Sequence, residues 1–171
     1  MYSTRFPNRD QECFGCSLAN YFELIREPAL ADKVYAEFRK HPFVAANGNM
    51  HGGLATRLVS DLTDNVYEGL LQGSDFSDSQ LEDFLELPEE RRAFAIQALH
   101  GEIAEKRVLA LPEVSYQGKA LLLLGGKEIS HWLVDCDNGY IINDGKLKQI
   151  VEPDLFFSKI HAVLLIKPTI L

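Results

Sequence analysis

The chain has 171 residues, of which 46% are hydrophobic, so it is long enough to form one domain with a buried core. Its formal net charge of −8 argues against a surface for nucleic-acid phosphates. Three cysteines do not indicate a disulfide framework, and we expect a reducing compartment. The longest apolar runs are too short to span a bilayer, and the first ten residues lack the apolar core of a signal peptide. We therefore expect one cytoplasmic domain over residues 1–171, with no nucleic-acid or membrane partner.

Two of the cysteines, Cys13 and Cys16, stand at the predicted start of the first helix. Apolar side chains follow at i, i+3, i+4 and i+7, which form one face of a helix, at Leu18, Tyr21, Phe22 and Ile25. Pro28 is predicted to end this helix. A cysteine at a helix start feels the positive end of the helix dipole and unpaired backbone N–H groups, and both favour the nucleophilic thiolate. The segment predicts a reactive cysteine, although small buried cysteines that begin a core helix fit the same spacing.

The rest of the N-terminal half also indicates helices. Apolar residues at helical spacing predict a helix over 29–40 and another over 54–62, separated by a glycine-rich loop. A capping-box pattern predicts a short helix over 77–87. A proline followed by two acidic residues predicts a longer helix over 88–107.

The C-terminal half changes to short apolar runs that are typical of strands. The predicted strands are Ala120–Leu124, Ile129–Asp135, Tyr140–Asn143, Leu147–Val151 and Ala162–Ile166, with a short helix over Pro153–Ile160. A helical N-terminal half followed by an antiparallel C-terminal sheet predicts an α+β fold.

The turn Asp137-Asn138-Gly139 joins two of these strands and indicates a β-hairpin. If the last two residues of that turn form a two-residue loop, Leu133 lies opposite Asp144. Side chains alternate between faces, so His131 shares a face with Leu133 and has Asp144 as its diagonal neighbour. This register selects Asp144 rather than Asn143 as the partner of the imidazole. A shift of one residue would reverse the choice.

A cysteine nucleophile needs a histidine base whose ring is oriented by a third group. A cysteine at a helix start, followed much later by a hairpin with His and Asp, has the chain order of papain-like folds. The chain resembles the papain-like cysteine peptidases of the bacteriocin-processing (double-glycine leader peptidase) type and their relatives, including phytochelatin synthase. Their helix motif Cys-Gly-x-Ala-Ser-Leu-Ala is similar to Cys13-Phe14-Gly15-Cys16-Ser17-Leu18-Ala19. Their second motif, a strand His and then Asp-Pro, is similar to His131 and Asp144-Gly145.

The resemblance implies a papain-like fold, with the helical half packed on the sheet, and acyl chemistry at an amide or peptide bond without a cofactor. It implies Cys13 as nucleophile, His131 as general base and acid, and Asp144 as the orienting group. It also implies an oxyanion hole formed by Gln11 and the backbone N–H of Cys13. The acyl-enzyme would pass to water or to an amine. The resemblance leaves open which peptide or small-molecule amide is the substrate, and it does not indicate the oligomeric state.

The choice of nucleophile and three other functions stay open at this point. Gln11 precedes Cys16 at nearly the spacing of the family's glutamine, but the Ser-Leu-Ala match favours Cys13. The two cysteines form a Cys-x-x-Cys motif, as in thiol oxidoreductases, without the strand and turn of a thioredoxin. A zinc site is another alternative, with ligands drawn from Cys13, Cys16, His131 and either Cys136 or Asp144. The fold would also serve as a non-catalytic binding module.

Overall fold

The computed structural model describes residues 2–9, 12–46, 55–73, 116–125, 130–149 and 160–170. Four α-helices lie in the N-terminal part of these ranges, and a 3-10 turn, Phe38–Lys40, follows the second of them. The helices are α1 (Cys13–Leu24), α2 (Pro28–Glu37), α3 (Pro42–Ala46) and α4 (Ala55–Leu62). No helix in the described ranges is long and apolar enough to span a membrane.

Seven strands of the described chain form one antiparallel sheet in the order β1-β6-β5-β4-β3-β7-β2. The strands are β1 (Tyr2–Ser3), β2 (Tyr67–Gly73), β3 (Ala120–Gly125), β4 (Ser130–Asp135), β5 (Tyr140–Asn143), β6 (Lys146–Gln149) and β7 (Ile160–Pro168). The mixed α+β class predicted from the sequence is therefore confirmed.

The N-terminal half contributes more to the sheet than the sequence indicated. Strands β1 and β2 occupy the two edges, and neither was predicted. Strand β2 contains two glycines and no strict alternation of apolar and polar residues, so its conformation depends on pairing with β7. Gly69 has no side chain to collide with Leu164, whose Cδ1 lies 2.9 Å from the position a Cβ would take. The predicted helices over 77–87 and 88–107 lie outside the described residues, as does 153–159 of the last predicted helix.

The helices pack on one face of the sheet and bury the larger part of the core. Helix α1 contacts β4 in the middle of the sheet, and α4 covers β2 at one edge. Trp132 and Val134 of β4 point toward the helices. The alternate residue, Leu133, points to the other face, where it belongs to a second, smaller apolar cluster.

The predicted register of the β4–β5 hairpin is wrong by one residue. Val134 pairs with Ile142, and the N–H of Cys136 donates to the carbonyl of Tyr140 at 3.0 Å, so the loop has three residues rather than two. Asp137 and Gly139 both adopt left-handed conformations, with φ of 61° and 82°. The side chains of Asp135 and Asn138 accept hydrogen bonds from backbone N–H groups inside this loop, which stabilises the longer turn.

Candidate active site

Helix α1 carries Cys13 in its first turn and is fixed against β4 by polar and aromatic contacts. The buried Ser17 hydroxyl donates to the carbonyl of Trp132 at 3.1 Å. The Phe14 ring meets the Trp132 ring edge-on, with centroids 5.1 Å apart. Since Ser17 lies one turn after Cys13 and Trp132 directly follows His131, these contacts bring the first turn of α1 to the start of β4.

The ring of His131 is held by the neighbouring strand. Its Nε2 lies 2.6 Å from Oδ1 of Asn143, which is a short hydrogen bond, and 3.6 Å from Oδ1 of Asp144. The observed register explains this difference: continued by one residue, it places Asn143 opposite Leu133, on the same face as His131. The predicted register that selected Asp144 over Asn143 is therefore wrong, and Asn143 is the residue that hydrogen-bonds to the imidazole.

The side chain of Cys13 interacts electrostatically with the same imidazole. A side-chain hydrogen bond with Cys13 raises the pKa of His131 from 6.5 to about 9, although burial works in the opposite direction. The hydrogen bond with Asn143 and the charges of Cys13 and Asp144 add to the rise. Because Asn143 takes Nε2, Nδ1 is the ring nitrogen left for the thiol. His131 is thus coupled to Cys13 and hydrogen-bonded to Asn143, and both interactions favour a protonated ring.

The second cysteine of the motif has a different environment. Cys16 is buried, and its thiol donates to the carbonyl of Phe6 at 3.1 Å. Burial, followed by the charges of Asp144 and Cys13, raises the pKa of Cys16 to about 12. A thiol that stays protonated and is engaged by a backbone carbonyl is a poor nucleophile and a poor resolving cysteine. This geometry favours Cys13 over Cys16 and argues against the redox alternative.

Asp144 forms the turn between β5 and β6 together with Gly145. Both residues have positive φ, 53° and 79°, as in a two-residue hairpin loop of type I′. The Asp144 side chain is 48% exposed. Its Oδ1 accepts a hydrogen bond of 2.9 Å from the side-chain amide of Asn8. Asp144 therefore shapes the turn and supplies a charge near His131 without making the closest contact to the ring.

A buried carboxylate directly precedes the candidate nucleophile. Glu12 is 1% exposed and accepts two hydrogen bonds from Arg39, at 3.1 and 2.9 Å. The Arg9 guanidinium lies 2.9 Å from the same carboxylate and stacks on the ring of Tyr35. Two cations balance the buried charge, so Glu12 anchors the start of α1 rather than acting as a free base.

The predicted oxyanion residue Gln11 lies outside the described residues. Among the described residues, no group of three or more His, Cys, Asp or Glu side chains is placed to hold a metal ion. The zinc alternative therefore has no support in this part of the chain, and Cys136 lies in the core cluster on the helix-bearing face of the sheet.

The comparisons with known proteins add no relative. No family model matches the chain, and neither does any curated protein or solved structure. The case for a function therefore depends on the geometry of the site alone.

Two residues of the site, Asn143 and Asn8, were absent from the sequence-based set. The two-residue loop expected from the sequence turns the Asn143 side chain away from His131, whereas the observed three-residue loop turns it toward the ring. The sequence Asp137-Asn138-Gly139 is compatible with a loop of two or three residues, so it does not determine the register. No sequence pattern pointed to Asn8, whose contact with Asp144 joins residues 136 positions apart.

Proposed function

We propose that this protein is a papain-like cysteine enzyme that cleaves or forms an amide bond through a thioester acyl-enzyme. Cys13 is the nucleophile, His131 the general base and acid, and Asn143 the group that orients the ring. The observation that carries the proposal is the environment of His131, whose Nε2 lies 2.6 Å from Oδ1 of Asn143 and whose pKa is raised chiefly by its interaction with the Cys13 side chain. A thiol, an imidazole and an amide that orients the ring are the groups that cysteine enzymes use for acyl transfer.

The chemistry follows from these positions. The thiol proton of Cys13 passes to Nδ1 of His131, and the thiolate attacks the carbonyl carbon of the amide. The imidazolium returns the proton to the departing nitrogen, the C–N bond breaks, and a thioester remains on Cys13. Water, deprotonated by His131, then releases a carboxylic acid, or an amine releases a new amide.

The start of α1 supports the oxyanion of the tetrahedral intermediate. The backbone N–H of Cys13 lies in the first turn, where amides have no acceptor within the helix. A donor at this point stabilises the negative oxygen as it develops. We retain Gln11 as the proposed side-chain donor.

The non-catalytic alternative is favoured by one observation: Cys13 is only 9% exposed. A papain-like binding module would keep its thiol covered and inert, whereas the enzyme must expose it to a substrate carbonyl. The two functions therefore predict opposite reactivity for the same atom.

The test is alkylation by iodoacetamide across pH, followed by peptide mass mapping, on wild type and His131→Ala. We expect Cys13 to label at neutral pH at least tenfold faster than Cys16 and Cys136, and to lose that advantage in the variant. The other two thiols are internal controls, since burial raises the pKa of Cys16 to about 12 and that of Cys136 to about 11. Slow labelling of Cys13 that His131→Ala leaves unchanged would refute the proposal and favour the binding module.

The acyl step is tested separately with a peptide mixture in ¹⁸O-labelled water, with and without hydroxylamine. Wild type should place ¹⁸O in new carboxyl groups if it hydrolyses, or form hydroxamates if transfer to an amine dominates. Cys13→Ser should do neither. Equal turnover by wild type and Cys13→Ser would exclude Cys13 as the nucleophile.

A further inference from the structure

The N-terminal segment, Thr4 to Asn8, passes directly beside the turn that follows the site. The N–H of Thr4 donates to the carbonyl of Gly145 at 2.8 Å, and the N–H of Asn8 lies 3.4 Å from the carbonyl of Asp144. Gly145 permits this approach, because a Cβ there would lie 2.6 Å from the carbonyl oxygen of Phe6. The N-terminal segment and the β5–β6 turn are therefore fitted to one another.

The N-terminal segment is equally fixed to α1. The carbonyl of Phe6 accepts hydrogen bonds from the Cys16 thiol at 3.1 Å and from the buried Asn20 amide at 3.0 Å. The N-terminal segment thus connects the helix that carries the nucleophile with the hairpin that carries the base.

Asn8 is the residue at which this connection reaches the charges of the site. Its side-chain oxygen accepts from the N–H of Glu12 at 3.1 Å, one residue before Cys13. Its side-chain nitrogen donates to Oδ1 of Asp144 at 2.9 Å. The same Oδ1 is the atom that lies 3.6 Å from Nε2 of His131.

The carboxylate of Asp144 needs such a support. The side chain is about half exposed, so without a partner it would rotate into water, where its attraction for an imidazolium is screened. The hydrogen bond from Asn8 opposes that rotation and holds the negative oxygen next to the ring.

We propose that Asn8 is a positioning residue of the site, which fixes the Asp144 carboxylate beside His131 and so stabilises the imidazolium. The inference rests on the proposed function, since it assigns Asn8 a part in preparing the catalytic base. It also gives the charge of Asp144 a role that is distinct from the orienting contact of Asn143.

The groups that face His131 among the described residues are few. Cys13 approaches from α1, Asn143 from β5 and Asp144 from the β5–β6 turn, and the charges that influence the ring belong to Cys13 and Asp144. Variants of Asn8 leave both ionisable groups in place, so a change in the titration of His131 reports the position of Asp144.

The experiment is the NMR titration of His131 in wild type, Asn8→Ala, Asp144→Asn and the double variant. Asparagine suits position 144 because it tolerates the positive φ and removes only the charge. We expect each single variant to lower the pKa of His131 by about half a pH unit, the scale of a partly screened charge pair. The double variant should fall no further than Asp144→Asn.

Two results would overturn the inference. In one, Asn8→Ala leaves the titration of His131 unchanged. In the other, it lowers the pKa equally in wild type and in the Asp144→Asn background, which would mean that Asn8 acts only through its contact with Glu12. Asn8→Ser, whose side chain is too short to reach Asp144, replaces the alanine variant if that variant does not fold.

Failure of the proposed function gives a different result. It would appear as slow alkylation of Cys13 together with a His131 titration that Cys13→Ser does not change. The comparison of Asn8→Ala in the two Asp144 backgrounds does not use the thiol, so the two hypotheses are separately refutable.

Discussion

The structure predicts that Asn143 orients the ring of His131, whereas the sequence predicts Asp144. Two substitutions distinguish these predictions. Asn143→Ala removes the acceptor that lies 2.6 Å from Nε2. Asp144→Asn removes only a charge whose nearest oxygen is 3.6 Å from the same nitrogen. The structure predicts that the first change lowers the reactivity of Cys13 more than the second.

The magnitudes follow from distance and exposure. A hydrogen bond to a charged group contributes about 1.5–3 kcal/mol, and the lower value applies because the His131 side chain is 27% exposed and water replaces part of the contact. Asn143→Ala should therefore reduce the alkylation rate of Cys13 near neutral pH about tenfold. Asp144 is 48% exposed, so screening limits the effect of Asp144→Asn to about threefold.

The assay is the rate of iodoacetamide labelling of Cys13 between pH 5 and 9, with circular dichroism to confirm that each variant is folded. Asn143→Asp is the matched control, because it keeps an oxygen acceptor at the same position, and it should retain most of the rate. If Asp144→Asn reduces the rate as much as Asn143→Ala does, Asp144 orients the ring and our reasoning from the hairpin register is wrong.

Three further predictions concern stability. Gly145→Ala should lower the free energy of unfolding by about 2 kcal/mol or more, because its φ is 79° and the new Cβ would meet the N-terminal segment at 2.6 Å. Gly139→Ala, at a φ of 82° with no atom within 4 Å, should cost about 1 kcal/mol, and equal losses in urea denaturation would contradict the close approach. Ser17→Ala should cost about 1–3 kcal/mol, because it leaves the buried Trp132 carbonyl without its donor, and an unchanged melting temperature would show that this contact does not fix α1. The pKa of His131 is raised from 6.5 to about 9, so the stability contributed by its protonated ring is fully present below about pH 6.5 and is lost as the pH rises through 9. The difference in free energy of unfolding between wild type and His131→Ala should shrink across that window, and a constant difference would contradict a stabilised imidazolium.

The sequence by itself determined the elements that follow from local pattern. The apolar periodicity after Cys13 predicted α1, and the short apolar runs after residue 120 predicted the strands β3 to β7 within a few residues. The prediction of a helix-start cysteine and a strand histidine also required only short-range information. It selected Cys13 and His131 as candidate residues from the pattern alone.

Tertiary structure decided which residues meet. The length of the β4–β5 loop depends on left-handed conformations at Asp137 and Gly139 and on side-chain hydrogen bonds within the turn, and one residue of loop length turns every side chain of β5 to the other face. The observed loop length therefore places Asn143, rather than Asp144, in hydrogen-bond contact with His131. The edge strands β1 and β2 likewise form only because a partner strand is present, since neither segment has a strand pattern of its own.

The contact between Asn8 and Asp144 shows the same limit most clearly. Local pattern carries no information about a hydrogen bond that spans 136 positions and that requires a glycine at 145 to admit the N-terminal segment. The residue types that can do the chemistry were readable from the sequence because their chemistry is intrinsic to the side chain. Their partners were not, because hydrogen bonds of about 3 Å are set by the packing of segments that lie far apart in the chain.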